Sequence, residues 1–107
     1  MAGGYALTVR FTTRDADAAQ QFDALVARTL EGIRREAGTI AYVIHVPTDD
    51  PNARVFYELY ADHAAFLAHE EQPHTRHFLE ERDRYLTDTE VTFMNQQGGK
   101  IPGMEGP

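Results

Sequence analysis

The spacing of apolar residues switches between a period of two and a period near 3.6 in a set order along the chain, and that order leaves few folds open. Tyr5, Leu7, Val9 and Phe11 alternate with Ala6, Thr8 and Arg10, which predicts a strand from Tyr5 to Phe11 with one apolar face. Thr13 or Asp15 is suited to cap the next segment, where Phe22, Leu25, Val26, Thr29, Leu30 and Ile33 recur at helical spacing. Gly38, beyond Arg34 and Arg35, reads as the glycine that ends this helix. Thr39–Val46 (TIAYVIHV) and Val55–Tyr60 (VFYELY) read as two strands joined by the turn-forming PTDDPNA. Asp62 caps a short helix from about His63 to Glu70, and Pro73 opens another that runs to about Leu86. Thr89–Met94 (TEVTFM) is the last strand.

The order β-α-β-β-α-α-β contains no internal linker and predicts one α+β domain over residues 5–94. The expected architecture is a ferredoxin-like sandwich, an antiparallel four-stranded sheet with its helices on one face. Residues 1–4 read as a flexible N-terminus. Residues 95–107, rich in Gly and Pro, read as a tail that is disordered or packs on a partner subunit. In VFYELY, Val55, Tyr57 and Leu59 fill one face while Phe56, Glu58 and Tyr60 fill the other. In the preceding strand Ile40, Tyr42, Ile44 and Val46 oppose Ala41, Val43 and His45. A strand that is apolar on both faces implies cover on both, and the helices cover only one. A second copy of the chain, as a two-fold homodimer, is the expected cover for the other.

Several function classes drop out. The 17 acidic and 10 basic residues give a formal net charge of −7, which disfavours nucleic acid and anionic membrane surfaces as partners. Without cysteine there is no disulfide, thiolate nucleophile or cysteine-ligated metal. No apolar run approaches the ~20 residues that span a bilayer, so no membrane partner is expected. Met1–Gly4 does not resemble a signal peptide, and a cytoplasmic location is expected. No glycine-rich loop is present to hold a nucleotide or flavin.

Chemistry concentrates in HEEQPHTRHF, residues 69–78. At helical spacing His69 falls with Ala65 and Phe66, and His74 with Phe78, on apolar faces; His77 falls with Glu81 and Arg84 on a polar one. His63 and His45 read as peripheral. Two inward histidines with Glu58 make a conceivable metal set, but Pro73 breaks the spacing between them, and no metal is expected. Acid–base work fits better, because histidine titrates near neutrality. Partly buried packing histidines are the plain alternative. Glu58, a carboxylate inside an apolar strand, needs a partner, for which Arg10 or an inward histidine is available.

These residues form an ordered string: Glu36-x-Gly38-x-x-x-Tyr42, then Phe56-x-Glu58-x-Tyr60-x-Asp62, then Ala65-Phe66-x-x-His69-x-x-x-Pro73-His74-x-x-x-Phe78. The string, within a likeness spanning about residues 5 to 94, resembles the antibiotic biosynthesis monooxygenase family, including its quinol monooxygenase members. The resemblance implies a ferredoxin-like protomer whose sheets pack into a dimeric α/β barrel, with a pocket between helices and sheet. It further implies O2-dependent oxidation of a hydroxylated aromatic (a phenol, anthrone or quinol) as small-molecule substrate, with O2 as co-substrate and neither metal nor other cofactor. By resemblance, Glu58, His69 and His74 are the catalytic candidates, with His69 or His74 as base and Glu58 orienting it. Tyr42 and Tyr60, with Phe66 and Phe78, would then contact substrate. The chain lacks tryptophan and carries Thr8 and Arg10, with no asparagine, on its first strand, so it departs from the Asn-His-Trp set of the haem-degrading branch. The same superfamily holds isomerases and binding proteins, so a hydroxyketone isomerase and a non-catalytic binding module stand as alternatives.

Overall fold

The computed structural model describes residues 3–101. Its order is β1 (Tyr5–Thr13), α1 (Ala16–Ile33), β2 (Thr39–His45), β3 (Ala53–Tyr60), α2 (His63–Glu71), α3 (Pro73–Glu81), a 3-10 turn (Arg82–Arg84) and β4 (Leu86–Asn95). The strands lie in the order β2-β3-β1-β4, every neighbouring pair antiparallel. This is the expected ferredoxin-like sheet. Among the described residues no helix is long and apolar enough to cross a membrane.

The helix-facing side of the sheet is set by the β1–β3 register, which puts Leu7 opposite Glu58 and Val9 opposite Phe56. Leu7, Val9 and Phe11 meet Phe22, Leu25 and Val26 of α1, Phe66 of α2 and Phe78 of α3 in one core. Phe11 packs on Phe22 at 5.1 Å between ring centres and on Phe56 at 4.8 Å. Each such pair contributes ~0.5–1.5 kcal/mol beyond the area it buries.

Asp15 caps α1 by accepting from the Ala18 amide at 2.8 Å, and Asp62 caps α2 through the Ala65 amide at 2.8 Å. Gly38 does not end α1. That helix stops at Ile33, and Gly38 lies before β2, where its carbonyl accepts from Ala61 N–H. Its lack of a side chain serves close approach instead, since a β-carbon there would stand 2.6 Å from that of Ala65 on α2. Extended backbone at Gln72, the residue before proline, ends α2 and turns the chain into α3. The helix expected to reach Leu86 stops at Glu81. Leu86 pairs with Thr13, and the Tyr85 carbonyl accepts from the Arg14 amide, so sheet pairing overrides the helical pattern there.

The outer face of the sheet is apolar on β2 and β3, through Ala41, Val43, Val55, Tyr57 and Leu59, but polar on β1, through Thr8, Arg10 and Thr12. A register shift between Thr39 and Ala41 leaves Ile40 exposed, and Val46 lies past the strand end, so neither joins Tyr42 and Ile44. Residues 96–101 form no helix or strand and line a shallow groove with Ala6, Tyr57 and Met94 of their own sheet. The rest of the expected tail, residues 102–107, and the start of the N-terminal segment, residues 1–2, lie outside the described residues.

Candidate functional site

Two hollows meet at His69. The inner one, about 190 Å³, lies between sheet and helices, with Leu7, Val9, Phe66, Phe78 and Phe93 among its apolar walls. Tyr42, Glu58, His69 and Arg82 bring polar groups to it. Val91 and Phe93, both exposed on edge strand β4, mark its mouth.

Strand alternation puts Glu58 and Tyr60 on the same inward face, and the Tyr60 hydroxyl donates to Glu58 Oε1 at 2.6 Å. Burial raises the Glu58 carboxyl from 4.5 to about 7. The Tyr60 bond opposes that rise, as does the charge of Arg82, while Glu70 and Glu36 add to it. Burial, with the nearby charge of Glu58, also holds the hydroxyls of Tyr42 and Tyr60 well above the usual tyrosine range. Both stay neutral and able to donate. Arg82 is the cation of this cavity. Its guanidinium carbon lies 5.7 Å from the centre of the Phe11 ring, and its buried Nε has no hydrogen-bond partner among the described residues. Asp83 Oδ1, at 4.0 Å, is too far to serve.

The second hollow is a cleft of about 610 Å³ between the end of α1, the turn beyond it, α2 and α3. On its wall Glu36 gathers both inward histidines. His69 Nδ1 donates to Glu36 Oε1 at 2.8 Å, and His74 Nε2 donates to Oε2. The Thr39 hydroxyl also donates to Oε1, at 2.5 Å. All three ionisable side chains are largely out of water: Glu36 is 8% exposed, His69 5% and His74 19%. Gly32, in the last turn of α1, makes room for the His74 ring, which a β-carbon at that position would overlap.

The inner cavity thus unites Tyr42, Glu58, Phe66, His69 and Phe78 of the expected set. It does not include the other two. Tyr60 is wholly buried with its hydroxyl on Glu58, and His74 faces the cleft. Glu58 takes neither of its expected partners, because Arg10 lies on the outer face and pairs with Asp50 at 2.9 Å, while His69 and His74 turn to Glu36. His77, His63 and His45 are exposed. Glu36, Arg82 and Gly32 are site residues that the sequence pattern does not single out. Glu36 stands in the ordered string, but a glutamate just after a helix reads as solvated, and nothing in its spacing ties it to residues 33 and 38 positions later.

The profile of the antibiotic biosynthesis monooxygenase family matches residues 5–81. Among curated proteins none matches the chain significantly. Solved structures of the same fold include a Mycobacterium tuberculosis protein, 24% identical over 92% of this chain and 100% of that one, with a TM-score of 0.85. A Shewanella oneidensis protein is also 24% identical, over 88% of this chain and 91% of its own, at a TM-score of 0.81. A provisionally assigned antibiotic biosynthesis monooxygenase of Nitrosomonas europaea is 21% identical over 90% of this chain and 92% of its own, at a TM-score of 0.82.

Proposed function

Since the chain belongs to the antibiotic biosynthesis monooxygenase family, we propose that it oxidises a hydroxylated aromatic small molecule with O2 in the inner cavity, drawing both electron pairs from the substrate. The observation that carries this reading is Glu58. A carboxyl raised to about 7 in an aromatic cavity is matched to taking a proton from a phenol or enol near neutral pH. Ionisation is the step that matters, because O2 reacts slowly with closed-shell molecules and readily accepts an electron from an electron-rich phenolate or enolate. Recombination and loss of water then convert a ring or methylene carbon to a carbonyl. One oxygen atom stays in the product and the other leaves as water.

Each remaining group has a part set by its place. Tyr60 orients Glu58 from behind. Arg82, with an unpartnered N–H, suits the oxygen on which negative charge develops. Tyr42 donates a hydrogen bond to a substrate oxygen. His69, whose Nδ1 is committed to Glu36, offers Nε2 as a second proton acceptor. The apolar walls exclude water and hold the ring against O2. This chemistry draws on no cofactor. Two copies joined through the outer faces of β2 and β3 would cover Val43 and Tyr57 and complete a barrel.

The test is oxygen consumption by metal-stripped protein offered quinols, anthrones and naphthols. The reading expects consumption above autoxidation that falls at least ~10-fold in Glu58→Gln and His69→Ala. Turnover that persists without O2 would assign the isomerase instead. Saturable binding without turnover would assign the binding module.

A further inference from the structure

We propose that Glu36, His69 and His74 form a binding site for one divalent transition-metal ion of the zinc kind, open to the cleft. The site lies on the cleft side of His69, beyond the oxidation chemistry proposed above, and its test needs no substrate.

Three separate elements deliver the set: the turn after α1, the last turn of α2 and the first turn of α3. One ligating atom from each residue lies within 4.8 Å of the others. Zinc bonds of ~2.0–2.2 Å put neighbouring ligand atoms about 3.4 Å apart in a tetrahedron. The ligand atoms therefore need shift by only about an ångström to reach that spacing. The two histidines stand at a spacing that a continuous helix would splay apart, but the break at Gln72 turns α3 so that both rings face one carboxylate.

Composition narrows the ion. Two imidazoles and one carboxylate suit zinc, cobalt, nickel, copper or iron, whereas magnesium and calcium prefer oxygen alone. An ion would take the place of the two ring N–H protons that now point at Glu36, each of which moves to the other nitrogen of its own neutral ring. One outer partner of the kind a metal site needs is already in place, since the Thr39 hydroxyl donates to Glu36 at 2.5 Å. Three protein ligands leave a coordination position open, and the adjoining cleft of about 610 Å³ has room for the water or small molecule that would fill it. Occupancy would also change His69. A metal on Nδ1 leaves the ring proton on Nε2, turning that nitrogen from acceptor to donor.

The 107-residue chain, dialysed against chelator, is titrated with Zn2+ by calorimetry and with Co2+ by visible absorption. We expect one ion per chain, Co2+ bands of a low-coordinate nitrogen–oxygen site, and a rise in Tm on loading. Glu36→Gln and His74→Ala should each weaken uptake at least ~100-fold, Thr39→Val should weaken it ~10-fold, and exposed His77→Ala should leave it unchanged. Thr39→Val spares every ligand, which keeps the test open should a ligand variant fold poorly. Absence of saturable uptake up to ~1 mM metal, or uptake in Glu36→Gln and His74→Ala within about threefold of the parent, overturns the site.

Discussion

The imidazole of His74 occupies the space that a β-carbon on Gly32 would fill. Glycine in the last turn of a long helix ordinarily costs up to ~1 kcal/mol relative to alanine, so its presence on α1 has a steric cause. Gly32→Ala should gain that propensity but lose ~1–3 kcal/mol to overpacking, because the ring is held by Glu36 and has little freedom to withdraw. In a His74→Ala background the same substitution should become stabilising. Urea unfolding of the four proteins of this cycle reads the coupling, expected at ~1–3 kcal/mol. Gly32→Ala that stabilises the parent protein would show that the two residues do not contend for the space.

Arg82 leads to a prediction about ligand charge. Hydrogen bonds to a charged group contribute ~1.5–3 kcal/mol, and Arg82 lines the inner cavity with an unmatched Nε–H. Arg82→Gln should therefore weaken an aromatic carboxylate or phenolate ~10-fold or more while leaving the corresponding amide or methyl ether within about twofold. Calorimetry on the two members of such a pair decides it. An equal loss for both would mean that Arg82 shapes the cavity without recognising charge.

These two residues show where sequence reading reaches and where it stops. The succession of strands and helices is legible because Leu7, Val9 and Phe11, or Phe22, Leu25 and Val26, each repeat with the period of the element that buries them. The inward aim of His69 and His74 is legible for the same reason, each being in register with Phe66 or Phe78. The carboxylate they share is not, because periodicity describes one element at a time and Glu36 joins them across a turn and two helices. The same limit hides Arg82, which sits in a 3-10 turn where the apolar pattern predicts a continuing helix. Tyr60 departs from its expected place for a subtler reason. Alternation puts its ring on the correct face but cannot reveal that its hydroxyl is already committed to Glu58.

The outer face of the sheet leads to a prediction about assembly. Val43 is 45% exposed, beside Val55 and the half-buried Tyr57, a surface that a second copy would cover. Sedimentation at micromolar concentration should give a dimer, and Val43→Asp should give a monomer with an unchanged far-ultraviolet spectrum. A parent protein that sediments as a monomer would remove the dimer from the proposal.

Glu58 makes stability and activity answer to pH in opposite directions. Its folded carboxyl titrates at about 7, against an ordinary value of 4.5. Between those values the unfolded chain has lost the proton while the folded chain keeps it, so the folded state binds more protons and stability falls as pH rises through the window. Below about 4.5 both states are protonated and nothing is lost; above about 7 the penalty is complete, at ~3 kcal/mol. Glu58→Gln keeps an oxygen to accept from Tyr60 and removes the charge. It should therefore raise Tm at pH 8 by several degrees and leave it nearly unchanged at pH 4.5. Activity should move the other way. The parent rate should climb with pH through about 7 as the carboxylate forms, and Glu58→Gln should lack that climb and lose ~10²–10⁴-fold above pH 7. A variant that is more stable at pH 8 and inactive ties the cost of the buried charge to its use as a base. A variant that is more stable and fully active would leave Glu58 a buried acid with no part in the chemistry.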